Sequence, residues 1–208
     1  MMLPQPPLLV ISDRGQARRP LIEIAAAAFA GGCRWFSLRE KDLPAEQRRA
    51  LLAELVALGR RYRATVMAHD DIEAVLATGA DGVHLPGGGD AAAARERLPR
   101  GLIGVSTHAA AEAAAVLRAG ADYVTLSPIF LTDSKQGYGP ALGLDALAAA
   151  AAAAPGPIIA LAGITPDNAG ACLAAGAHGV AVMGEVMRSP NPEETVRRLL
   201  AAFSVKGK

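Results

Sequence analysis

One pattern recurs four times along the chain and constrains its fold more than any other feature. Segments 29–38 (FAGGCRWFSL), 76–85 (LATGADGVHL), 117–126 (LRAGADYVTL) and 173–182 (LAAGAHGVAV) each end an alanine-rich stretch on a glycine and begin a short apolar run two or three residues later. Self-similarity of this kind marks a repeated supersecondary unit. A glycine that can take the left-handed conformation ends a helix, and the apolar run that follows reads as a strand. The equivalent glycines are Gly32, Gly79, Gly120 and Gly176, which lie 47, 41 and 56 residues apart.

One βα unit takes about 20 to 30 residues, so each interval should hold two units. Further apolar runs at 65–68, 102–106 and 157–162, with an opening run at 8–11, supply the missing strands. Helices are expected at 20–31, 44–61, 71–78, 90–98, 109–119, 143–154, 166–175 and 192–203, the seventh starting at Pro166 with Thr165 as its N-cap. Eight strands alternating with eight helices fit a single-domain α/β (β/α)8 TIM barrel spanning residues 1–208. The competing open doubly wound sheet should carry a GxGxxG fingerprint after its first strand, and residues 11–15 (ISDRG) lack it.

Composition narrows the class. With 21 Lys+Arg against 20 Asp+Glu, a net charge of +1 and no run of like charges, the chain offers no footprint for a polyanion, so no nucleic-acid partner is expected. Aromatic residues make up only 4% of the chain, which argues against an all-β core. Cys33 and Cys172 have neither CxxC spacing nor a neighbouring histidine, so buried, reduced thiols are expected rather than a zinc site. The first residues lack a basic region followed by a long apolar run, and the longest apolar stretch, 146–154, is far short of the ~20 residues of a membrane helix. A cytoplasmic protein without a membrane partner is expected, and self-association into a homo-oligomer is left open.

In a (β/α)8 barrel the working groups stand at the C-terminal ends of the strands. Those ends carry Ser12 and Asp13; Ser37, Arg39 and Lys41; His69 and Asp70; His84 and Asp90; Ser106 and His108; Ser127, Thr132, Ser134 and Lys135; Gly163 and Thr165; and Gly184 and Glu185. Strand alternation puts Ser37, Arg39 and Lys41 on one face and Glu40 on the other. Two cations there suit a phosphate or diphosphate, or else stand as ordinary surface charges at a loop start. The long loop 127–140 offers the Thr132 and Ser134 hydroxyls and the Lys135 ammonium to an anion. Gly163 and Gly184 occupy the place where barrels often bind phosphate through backbone N–H groups. Asp70 and a downstream carboxylate would suit a Mg2+ held against a diphosphate.

Residues 35–41 (WFSLREK), 79–85 (GADGVHL), 104–108 (GVSTH), 121–124 (ADYV) with 127–135 (SPIFLTDSK), and 160–168 (ALAGITPDN) together resemble the thiamine phosphate synthase/TenI family, over residues 8 to about 187. The resemblance implies the (β/α)8 fold and small phosphorylated substrates. Synthases of this family condense hydroxymethylpyrimidine diphosphate with a thiazole phosphate in thiamine biosynthesis, with Mg2+ assisting the leaving group. On that pattern Arg39 and Lys41 hold the diphosphate, with Ser37 and His69 in the same substrate-binding set. Asp70 and Asp90 take one Mg2+, and Ser106 meets the pyrimidine. Lys135 assists the departing diphosphate, while Thr132, Ser134, Gly163 and Gly184 bind the thiazole phosphate. Lys135 and Ser106 are the implied catalytic groups.

The chain departs from the synthase pattern at three places. Ser37 stands for the usual Gln, His69-Asp70-Asp71 for Asn-Asp-Arg, and Asp90 lies one residue further from His84 than the usual metal aspartate. The second chemistry of the family is a TenI-type thiazole tautomerase, whose acid/base histidine is matched here by Pro128. A non-catalytic thiazole-phosphate or thiamine-phosphate binding protein is the third reading.

Overall fold

The computed structural model describes residues 2–132 and 140–207, so Ser134 and Lys135 lie outside the described residues. Eight strands run β1 (Leu8–Ile11), β2 (Trp35–Leu38), β3 (Thr65–His69), β4 (Gly82–Leu85), β5 (Leu102–Thr107), β6 (Tyr123–Leu126), β7 (Ile158–Leu161) and β8 (Gly179–Val182). All pair in parallel with their sequence neighbours, and β8 pairs with β1 to close the barrel. The helices are α1 (Leu21–Ala30), α2 (Ala45–Arg61), α3 (Ile72–Thr78), α4 (Ala91–Arg97), α5 (Ala110–Arg118), α6 (Gly143–Ala153), α7 (Ala169–Ala174), α8 (Gly184–Met187) and α9 (Pro192–Ala201).

The repeated joint has the conformation its glycines imply: φ is +105° at Gly32, +67° at Gly79, +109° at Gly120 and +97° at Gly176. Each is a region where an L side chain is strained, so glycine is what lets the helix stop and the chain turn into the next strand.

Strand alternation then sorts the side chains into two apolar sets. Leu9, Ile11, Trp35, Met67, Leu102, Tyr123, Ile159 and Ala181 point inward and fill the barrel. Their neighbours Val10, Phe36, Val66, Val83, Ile103, Val124, Ile158 and Val180 point outward beneath the helices. The inward positions nearest the C-terminal ends are polar: Ser37, His69, His84 and Ser106 follow Trp35, Met67, Gly82 and Gly104 at two-residue spacing. The same period that builds the core therefore aims these four groups at the cavity mouth.

Two expectations are corrected. The helix expected from Pro166 begins at Ala169. The Asn168 side chain reaches back, accepting from the Thr165 N–H at 2.8 Å and donating to the Gly163 carbonyl at 2.8 Å, so residues 165–168 form a turn rather than a capped first turn of helix. A four-residue helix, α8, also precedes the expected last helix. Cys33 and Cys172 are free and buried, and burial pushes both thiols up to about 11. Among the described residues, no helix is long and apolar enough to cross a membrane.

Candidate active site

The C-terminal end of the barrel opens into a cavity of about 570 Å3. Its wall includes Ser37, Arg39, Lys41, His69, Ser106, Thr132, Gly163 and Gly184, so the fold brings together eight of the residues singled out in the sequence. A more open groove of about 700 Å3 lies at the N-terminal end of β3 to β5. There Asp81 is bonded to the Val66 N–H and Arg97 is paired with Glu73, which leaves no comparable set of convergent polar groups.

Arg39 and Lys41 enter the cavity because β2 aims Ser37 inward and the chain keeps that alternation past the strand end. Glu40 points the other way and is 2% exposed. Both its carboxylate oxygens accept from the Arg14 N–H, at 3.0 and 3.1 Å, which ties the loop after β1 to the loop after β2. Burial raises the Glu40 pKa, opposed by the hydrogen bonds from Ser12 and Arg14. The Ser12 hydroxyl accepts the Arg39 N–H at 2.8 Å and so fixes the backbone from which the guanidinium projects. Among the described residues, neither Arg39 nor Lys41 makes an ion pair, so both charges are available to an anion.

The floor is neutral. His69 and His84 stack with ring centroids 5.7 Å apart. Among the described residues, His69 has no hydrogen-bond partner at either ring nitrogen, and the buried Ser37 hydroxyl has none. Burial pulls the His69 pKa down to about 4, helped by the charges of Arg39 and Lys41. The same cause takes His84 down to about 3, with His69 and Arg39 contributing. His84 Nε2 lies 3.0 Å from the Ser106 hydroxyl, and its Nδ1 lies 2.9 Å from the Tyr123 hydroxyl. Unpaired buried polar atoms are costly, and in a cavity wall they mark where a ligand supplies the missing partners.

On the other side of β1 the wall holds Gly163, Gly184, Glu185, Gln16 and Arg188. Gln16 and Arg188 had no place in the sequence reading. The Arg188 guanidinium lies against Gly184 so closely that a Cβ there would overlap it, and it donates to Gln16, which in turn donates to Asp13 at 2.5 Å. The signal was present but needed α8: Arg188 sits one helical turn after Gly184, its N–H bonded to the Gly184 carbonyl at 3.0 Å.

The two aspartates expected to share Mg2+ do not converge on the cavity. Asp90 caps α4, its carboxylate accepting from the Ala93 N–H at 2.9 Å. Asp71, also in the acidic run after β3, caps α3 and pairs with Arg48. Asp70 stands exposed at the rim with φ +53°, its N–H donated to the His84 carbonyl at 3.0 Å. Among the described residues, no three His, Cys, Asp or Glu side chains come together as a metal site. Neither Asp70 nor Asp90 is in the cavity wall, so the two carboxylates expected to hold Mg2+ do not line the site that Arg39 and Lys41 enter.

The sequence profile of the TMP-TENI family, described as thiamine monophosphate synthase, matches residues 8–186. The chain belongs to the TMP-TENI family. A relative from Geobacter sulfurreducens, provisionally named a thiamine-phosphate synthase, is 45% identical over 197 residues, 93% of this chain and 92% of that protein. The thiamine-phosphate synthase of Roseiflexus sp. (strain RS-1) is 38% identical over 199 residues, 94% of this chain and 84% of that protein. Among solved structures, a thiamine phosphate pyrophosphorylase from Pyrococcus furiosus superposes with a TM-score of 0.88 at 29% identity, covering 97% of this chain and 96% of that one. A 3-hexulose-6-phosphate synthase with a TM-score of 0.72 and 19% identity, covering 94% of this chain and 98% of that one, shares the fold alone. Within the TMP-TENI family, the cavity of this chain carries a histidine at 69, a serine at 37 and an arginine packed on Gly184.

Proposed function

We propose that this chain is a thiamine phosphate synthase, a transferase of thiamine biosynthesis that joins hydroxymethylpyrimidine diphosphate to thiazole phosphate and releases diphosphate. The observation that carries the reading is one cavity with cations on two sides of a neutral floor, Asp13 and Glu185 being the carboxylates in its wall. Arg39 and Lys41 stand on one side of β1, Gly163, Gly184 and Arg188 on the other, and Ser37, His69, His84 and Ser106 lie on the floor. Membership of the family and the names of the relatives point the same way.

In the reaction the C–O bond between the pyrimidine methylene and the diphosphate breaks, and its electron pair leaves with the diphosphate. The thiazole nitrogen supplies the pair for the new C–N bond. Arg39 and Lys41 stabilise charge that grows on the diphosphate oxygens as that bond lengthens. The neutral floor accepts an uncharged ring without placing a competing anion or cation beside it. Gly163 and Gly184 line the wall given to the thiazole phosphate, and the missing Cβ of Gly184 makes room for Arg188, which adds a guanidinium to it. Thr132, in the cavity wall, faces the same substrate. The roles of Ser134 and Lys135 rest on the sequence resemblance alone. Mg2+ in this family supplies charge neutralisation to the diphosphate. Neither Asp70 nor Asp90 lines the cavity, and the steps on the diphosphate rest on Arg39 and Lys41 alone.

The tautomerase reading loses its proton carrier, since Pro128 occupies the position of the family's acid/base histidine. The binding-only reading draws support from the absence of Asp70 and Asp90 from the cavity wall. Mixing the purified chain with both substrates and Mg2+ separates the three. Stoichiometric thiamine phosphate and diphosphate supports the synthase, and an Arg39→Ala variant should then lose at least 100-fold in kcat/KM. Retention of thiazole phosphate with neither condensation nor tautomerisation would leave a binding protein.

A further inference from the structure

The interior of the barrel carries a hydrogen-bonded chain that the reaction scheme above does not use. Trp35 Nε1 donates to Met67 Sδ at 2.9 Å. The Tyr123 hydroxyl lies 3.6 Å from that same sulfur and 2.9 Å from His84 Nδ1, and His84 Nε2 lies 3.0 Å from Ser106 Oγ at the cavity floor. We propose that Tyr123 is a positioning residue: it holds His84 in the tautomer protonated at Nε2, so that Ser106 turns its hydroxyl hydrogen to the cavity and selects a ligand atom that accepts a hydrogen bond.

The polarity follows from counting donors and acceptors. A buried neutral imidazole has one N–H and one bare nitrogen, and its two partners here are both hydroxyls. If Nδ1 carried the proton, the tyrosine oxygen would accept it, and the tyrosine hydrogen would be left with Met67 Sδ. That sulfur is a weak acceptor, is 3.6 Å away and is already engaged by the indole. If Nδ1 is bare, the tyrosine hydrogen goes to it at 2.9 Å, Nε2–H goes to Ser106, and the donors of Trp35, Tyr123 and His84 are all satisfied. Ser106 Oγ then already accepts from His84. Among the described residues it has no other partner, so its own hydrogen is left for the ligand.

The arrangement is built in at β5. Gly104, the inward residue before Ser106, leaves room for the phenol ring, and a Cβ at that position would overlap the Tyr123 ring and hydroxyl. Burial also keeps the phenol protonated and the imidazole uncharged, consistent with the chain as drawn.

On the proposed function, the acceptor is a ring nitrogen of the pyrimidine. The inference rests on that reading for its ligand but not for the tautomer. Long-range 1H–15N correlation spectra of the unliganded protein, assigned with a His84→Gln variant, should show His84 with a bare Nδ1 and a protonated Nε2. A protonated Nδ1 or an imidazolium overturns the proposal. Tyr123→Phe keeps the ring and removes the donor. It should release the tautomer preference and weaken binding of 4-amino-5-hydroxymethyl-2-methylpyrimidine by about 10-fold, the scale of one hydrogen bond. Affinity for thiazole phosphate should not change. Equal weakening of both ligands, or none of either, counts against Tyr123 acting through Ser106. If the wild-type chain bound no pyrimidine at all, the proposed function would fall while the tautomer measurement still decided this point.

Discussion

Asp90 carries a contact that its place after β4 does not announce. It follows β4 at nearly the spacing of a metal aspartate, but its oxygen accepts the Ala93 N–H. Asn can make the same bond and Ala cannot. Asp90→Asn should therefore leave both stability and Mg2+-dependent activity within error, whereas Asp90→Ala should cost about 1 kcal/mol in a urea titration. Loss of activity in the Asn variant at unchanged stability would restore the metal role. Arg188 makes the converse case. It was not legible because its partner Gly184 lies one turn away in a helix that four residues of sequence do not announce. Arg188→Ala should raise KM for the thiazole phosphate about 10-fold or more and leave that for the diphosphate substrate unchanged, as separate steady-state titrations would show. His69 and His84 make stability depend on pH. Their folded pKa values, about 4 and about 3, lie below the usual 6.5, so between those values the unfolded chain binds more protons. The stability they contribute should therefore be present above pH 6.5 and be lost as the pH falls through about 4 for His69 and about 3 for His84. The slope is up to ~1.4 kcal/mol per pH unit for each histidine. Thermal unfolding from pH 7 to pH 4 should show this fall, and His84→Gln should flatten it.

At the scale of the element, the glycine joints were readable because one backbone requirement, a positive φ where a helix meets a strand, excludes nearly every other residue. Gly79 at φ +67° caps α3 through its N–H to the Val75 carbonyl. Gly79→Ala should cost about 1 kcal/mol or more, measured by chemical denaturation, because the strain is paid in the folded state only. Helix starts were less legible. The 165–168 segment carries Thr, Pro and Asp in the order of a capped helix. Yet Asn168 wins the backbone groups of Thr165 and Gly163, and α7 is shortened to six residues. The two patterns draw on the same backbone groups, and a side chain that can bond both ways takes them. The polar residues at the strand ends were legible for the opposite reason. Once the apolar runs are placed as strands, two-residue alternation decides which positions face the barrel axis, and Ser37, Arg39, Lys41, His69 and Ser106 all line one cavity.

The whole molecule carries a net charge of +1, and that average conceals its organisation. Many acidic residues are committed to caps, to loop ties and to ion pairs: Asp71 and Asp90 cap helices, Glu40 holds the Arg14 N–H, and Asp122 and Glu73 pair with Arg95 and Arg97, while Asp13 and Glu185 line the cavity. Arg39, Lys41 and Arg188 make no such pair among the described residues, and all three open on one cavity. Closure of the barrel is what brings the two walls together, because β8 and β2 are both neighbours of β1. The central claim is that this single cavity seats two phosphorylated substrates around a neutral floor and joins them. The most direct test follows the 31P spectrum of the purified chain with hydroxymethylpyrimidine diphosphate, thiazole phosphate and Mg2+. The account predicts free diphosphate and thiamine phosphate appearing in equal amounts, with Arg39→Ala slowed at least 100-fold. Both substrates remaining unchanged while still binding would contradict it.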